Sequence, residues 1–126
     1  MPEATIERWV EWHDTDAAGH QHHSAIIRWA EEAEGELFRQ LGLNDLWGRT
    51  PRVRHEVNYL SRLWPGERIR ARIAVDNVGR TSMRLTFEVH GERGLAAEGA
   101  VVIVHSDPAE SAATPWPDEV LSRLSL

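Results

Sequence analysis

At 126 residues the chain has the length of one domain, and 41% apolar against 27% charged residues suits a folded globular protein rather than a disordered one. It contains no cysteine, which excludes disulfide scaffolds, thiolate metal sites and cysteine nucleophiles. A net charge of −6 argues against a nucleic-acid binder, which needs a basic face, and no apolar run approaches the ~18 residues of a membrane span.

The opening stretch MPEATIERW has neither a basic start nor an apolar run, so a secretion signal is not expected and the expected location is the cytoplasm. Residues 5–13 mix β-branched and aromatic residues with charges and read as a strand. It stops at DTDAAGHQHH, where Asp, Gly and His favour an irregular turn. From Ser24 to Leu41 the period changes. Ile26, Ala30, Ala33, Leu37 and Leu41 recur at spacings of three and four, one apolar stripe on a helix. Glu31, Glu32, Glu34 and Glu36 supply its polar side, and Gly42 stands where helices commonly end.

Beyond the helix the alternation has period two. Val53, His55, Val57 and Tyr59 share one strand face; Ile69, Ala71, Ile73 and Val75 share another; Met83, Leu85, Phe87 and Val89 a third. The last strand, Leu95 to His105, is more continuously apolar and reads as central. Short Gly- and Pro-containing connections imply hairpins and an antiparallel sheet. Residues 106–126 read as a loop or loose tail with a short helix from Asp118 to Leu124. The whole is one α+β domain, order β-α-β-β-β-β, with a five-stranded antiparallel sheet wrapped on one long helix. One helix cannot shield the whole sheet, so an edge strand is left over, and a homodimer or homotetramer is expected.

Charge is unevenly placed. All 14 basic residues are Arg; residues 1–45 carry 3 Arg against 10 acids, residues 46–93 carry 10 against 5, and residues 94–126 carry 1 against 5. The middle of the chain can thus offer Arg forks to phosphate groups inside an acidic protein.

The densest chemistry lies in the turn from Asp14 to Ser24. Two carboxylates, Asp14 and Asp16, and three imidazoles, His20, His22 and His23, feed into a helix N-terminus. Free amides and the positive end of the dipole there stabilise developing negative charge, so an adjacent carboxylate suits attack on a carbonyl carbon. Asp14 reads as a turn-forming residue and Asp16 as the reactive one. Gly19 supplies a conformation or a close approach that a side chain would forbid. Three clustered His could instead converge on a metal ion, with Asp14, Asp16 and Glu31 completing the site. Ordering the loop or touching substrate is the preferred role for His20, so neither a metal nor a cofactor is expected.

The stretch WHDTDAAGHQHHSAIIRWAEE, Trp12 to Glu32, resembles the D-x-D-x-x-G-H signature of hotdog-fold acyl-CoA thioesterases of the 4-hydroxybenzoyl-CoA thioesterase type. VGRTSMRLTFEV, Val78 to Val89, resembles that family's loop-and-strand segment. The resemblance implies a catalytic carboxylate at Asp16 as nucleophile or general base, and the backbone N–H of His23 as oxyanion donor. It implies a CoA-binding loop at Arg80, Thr81 and Ser82, and an acyl-contacting acid at Glu31. His22, His23 and Ile26 stand where the family often has Asn, Asn and Tyr, positions that border the acyl pocket, which puts acyl specificity in question more than the reaction. The implied function is hydrolysis of an acyl-CoA thioester to acid and CoA. Alternatives are hydrolysis of an acyl-carrier-protein thioester in a polyketide or fatty-acid pathway, and a non-catalytic acyl-CoA-binding hotdog protein.

Overall fold

In the computed structural model, which describes residues 1–110 and 112–125, the chain runs β1 (Glu3–Trp9), α1 (His23–Gln40), β2 (Arg52–Tyr59), β3 (Arg68–Val78), β4 (Ser82–Gly91), β5 (Gly94–Val104) and α2 (Asp118–Leu124). Ser111 and Leu126, assigned from sequence to the tail, lie outside the described residues. The sheet order is β1-β3-β4-β5-β2, with every neighbouring pair antiparallel. The expected α+β architecture is therefore present, and β5 is internal because both β4 and β2 pair with it.

The period-two residues build one face. Ile69, Ala71, Ile73 and Val75 of β3 and Met83, Leu85, Phe87 and Val89 of β4 are all buried, as are Val101 and Ile103 of β5. α1 lies on this face through Ile26, Trp29, Ala30, Ala33, Leu37 and Phe38. Its 18 residues span about 27 Å, enough to cross the strands. β2 lies at the sheet edge opposite β1, and its alternate residues Val53 and Tyr59 stay exposed although His55 and Val57 are half-buried. No helix among the described residues is long and apolar enough to cross a membrane.

Two boundaries differ from the sequence reading. β1 begins at Glu3 and ends at Trp9, because Val10 leaves the sheet to exchange backbone hydrogen bonds with Gly66 and Glu67, and Glu11 donates to Asp14. The tail is fastened rather than loose. Trp116 is buried, its indole donates to the Ser82 carbonyl at 3.0 Å, and its amide donates to the Arg80 carbonyl at 3.1 Å. α2 then adds Val120 and Leu124 to the core.

Gly99 stands where neighbouring strands leave no room for a side chain. It pairs with Phe87 on one side and Val57 on the other, and a β-carbon there would collide with the Glu56 carbonyl and the Phe87 ring. Backbone on one side cannot give way as a flexible side chain would. Gly99→Ala is therefore expected to lower unfolding free energy by about 1–3 kcal/mol, read as an earlier urea midpoint; an unchanged midpoint would show that β2 and β5 have room to part.

Candidate active site

Asp14 anchors the turn that enters α1. Its carboxylate is 2% exposed, accepts the Glu11 N–H at 2.8 Å and is paired with the guanidinium of Arg28, one to two turns into the helix. Its carbonyl accepts the His22 N–H at 2.7 Å. A buried carboxylate with a charged partner and an amide donor is compensated, whereas removing one partner would strand the other. Both ends of the turn are thus tied to one residue.

Inside this frame Thr15 and Gln21 bridge, and the segment between them doubles back. The Asp16 N–H donates to the His20 carbonyl at 3.2 Å, and the Gly19 N–H returns to the Asp16 carbonyl at 3.0 Å. Gly19 holds φ +90°, a left-handed conformation that side-chain-bearing residues resist. Asp16 stands exposed at the tip. Its Oδ1 accepts the Ala18 N–H at 2.8 Å, and Oδ2 has no hydrogen-bond partner among the described residues.

His22 caps α1, its Nδ1 accepting the Ser24 N–H at 3.1 Å. Ala25 donates to the His22 carbonyl, and the His23 N–H has no acceptor among the described residues. Asp16 and His23 line one cleft of about 440 Å³ together with His20, Gln21, Tyr59, Leu60, Ser61 and Arg62. The Tyr59 hydroxyl donates to the His23 carbonyl at 3.0 Å and so ties the end of β2 to the first turn of the helix. Burial pushes this phenol above its usual range. The cleft thus combines an anion-stabilising helix end, a carboxylate with a free oxygen, and one cation, Arg62.

The remaining sequence-derived candidates lie elsewhere in the protomer. Ile26 is fully buried in the core beneath α1. His22 serves as the cap and stacks on the His23 ring at 4.1 Å. Glu31 lines a second cavity, of about 500 Å³, with Glu34, Phe38, Trp47 and Arg52. Arg52 bridges the two carboxylates there, at 3.3 Å to Glu31 and 2.7 Å to Glu34. Burial raises the Glu34 carboxyl above the ordinary range against the pull of Arg52, and burial beside Arg52 lowers the His55 imidazole. Arg80, Thr81 and Ser82 form the β3–β4 turn, at the end of the sheet opposite the Asp16 cleft. Among the described residues no three His, Asp or Glu side chains converge closely enough to hold a metal ion. Gln21, Tyr59, Leu60, Ser61 and Arg62 are the cleft residues that the motif reading did not single out. Gln21 lay within the quoted signature, but nothing local marks Tyr59 or Arg62, which reach the site only through the fold.

A five-stranded antiparallel sheet wrapped on one long helix, with an acid-bearing turn at the helix start, is the hotdog architecture. The chain belongs to the thioesterase-like superfamily, whose pattern matches residues 10–124. It is 27% identical over 99 residues to a 1,4-dihydroxy-2-naphthoyl-CoA hydrolase of Thermosynechococcus vestitus, a match covering 74% of this chain and 68% of that one. Its fold matches a predicted thioesterase from Bacillus stearothermophilus at a TM-score of 0.88 and 25% identity, covering 97% and 93% of the two chains. It also matches a 4-hydroxybenzoyl CoA thioesterase crystallised with 4-hydroxybenzoyl CoA at a TM-score of 0.88 and 16% identity, over 99% of this chain and 100% of that one.

Proposed function

We propose that this protein hydrolyses an acyl-CoA thioester to the free acid and CoA in the cleft between the Asp16 turn and the start of α1. The observation that carries the reading is that Asp16, with an oxygen lacking a partner, and His23, with an amide lacking an acceptor, line the same cleft. In this reading the thioester carbonyl accepts the His23 N–H, and the dipole of α1 stabilises the oxyanion as the carbonyl carbon turns tetrahedral. Asp16 Oδ2 either attacks that carbon or takes a proton from an attacking water. Attack expels the CoA thiolate and leaves a mixed anhydride that water then cleaves, returning the Asp16 carboxylate. In the second route hydroxide adds as Asp16 takes the proton, and the thiolate leaves as the tetrahedral adduct collapses.

The CoA phosphates are assigned to the Arg80–Thr81–Ser82 turn of a second copy. β4 alone runs ten residues, about 33 Å, between that turn and the end of the sheet nearest the cleft, so the same chain's turn is poorly placed to serve it. The edge position of β2 and its exposed Val53 and Tyr59 support pairing of two sheets edge to edge. The hydroxylated aromatic CoA esters named for two of the similar proteins make aromatic acyl-CoAs the first class to test.

A thioester panel with thiol-release readout tests the reading, covering aromatic, short and long aliphatic CoA esters and an acyl-carrier-protein substrate. On the best substrate Asp16→Asn is expected to lower kcat by about 10²–10⁴-fold with acyl-CoA affinity retained; near-full activity would remove Asp16 from the chemistry. Arg80→Ala is expected to raise KM about tenfold with kcat little changed, as loss of a charge-assisted phosphate contact does; an unaltered KM would place the phosphates elsewhere.

A further inference from the structure

Gln21 is 5% exposed, a neutral amide buried between the Asp16 turn and the segment that follows β2. Its backbone N–H donates to the Leu63 carbonyl at 2.9 Å, and its side-chain Oε1 accepts the Leu63 N–H at 2.8 Å. A peptide N–H can only donate, so the atom facing it is oxygen and the orientation of the amide is determined. His20 Nδ1 lies 3.2 Å from that Oε1 and 3.2 Å from the Gln21 carbonyl oxygen. Both neighbours are acceptors, so Nδ1 must carry the hydrogen. In the neutral ring the lone pair then sits on Nε2, which has no partner among the described residues. Edge-on contact with Trp64, with ring centroids 5.8 Å apart, holds the ring plane. We infer that Gln21 is a positioning residue that locks His20 in the Nδ1–H tautomer and thereby equips the cleft with an imidazole acceptor, Nε2, that orients the hydrolytic water.

The inference rests on the cleft being the reaction site. The titratable groups sharing the cleft are Asp16 on the same turn, His23 at the helix start, and Tyr59 and Arg62 from β2 and the segment after it. Glu67, behind Trp64, is occupied by the amides of Trp64 at 3.1 Å and Glu92 at 2.8 Å.

Two-bond proton–nitrogen correlation spectra of the ¹⁵N-labelled protein without substrate read the tautomer directly. The wild type is expected to show His20 protonated at Nδ1, and Gln21→Met, which lacks Oε1 and keeps only the main-chain carbonyl, to show a weaker preference. Gln21→Glu keeps both oxygen contacts but places a negative charge beside the ring. It is expected to restore the Nδ1–H preference that Gln21→Met weakens, a rescue that a purely structural role would not produce. A wild-type Nε2–H tautomer, an Nδ1–H preference unchanged in Gln21→Met, or a Gln21→Glu ring without that preference would each overturn the inference. The tautomer is read without turnover, so an active Asp16→Asn would sink the active-site reading while leaving this result to stand or fall alone.

Discussion

The pair formed by Asp14 and Arg28 is the contact on which the site's geometry depends. The carboxylate is almost completely removed from water, and three groups satisfy its residue: the guanidinium, the Glu11 amide and, through the carbonyl, the His22 amide. Because Arg28 belongs to α1 and Glu11 to the exit from β1, one side chain sets where the helix begins relative to the sheet. That placement leaves the next amide, His23, without an acceptor, and it turns Asp16 outward beside it. An unsatisfied amide at a helix start is ordinary. In the proposed reaction the free Asp16 oxygen, which lines the same cleft, gives it chemical use.

The rest of the fold serves to hold this turn from behind. Leu63 binds Gln21 at two points, Trp64 bears on His20, and Tyr59 ties the His23 carbonyl to β2. The segment from Tyr59 to Trp64 is thus the second wall of the site, and it follows the edge strand of the sheet. In the proposed assembly that same edge meets a second copy, so the wall that shapes the cleft and the surface that pairs two chains are continuous.

Much of this was legible in the residues because the signals are local. Ile26, Ala30, Ala33 and Leu37 repeat at helical spacing, and α1 begins and ends within one residue of the Ser24–Leu41 span read from that pattern. The alternation in β3 and β4 places every expected inward residue in the core. The turn stood out because Asp, Gly and His crowd into one short segment. What stayed hidden depends on distant partners. The end of β1 is drawn off by Glu67 and Asp14, and the tail is pinned by Trp116 against the β3–β4 turn. Tyr59 joins the cleft from 36 residues away, and its alternation marks only a strand face. The acyl-pocket roles of Glu31 and Ile26 followed the resemblance rather than any local signal; Glu31 faces a different cavity, shared with Glu34 and Arg52, and Ile26 is core, as its place in the helix stripe indicates.

The central claim is that a thioester carbonyl docks on the His23 amide at the positive end of α1. Difference infrared spectroscopy of a carbonyl-¹³C-labelled aromatic acyl-CoA bound to the Asp16→Asn protein measures that polarisation directly. The account predicts a carbonyl stretch displaced to lower frequency than in water, as a hydrogen bond and a helix dipole aimed at the oxygen require. A bound ester whose stretch matches or exceeds its solution frequency would contradict it.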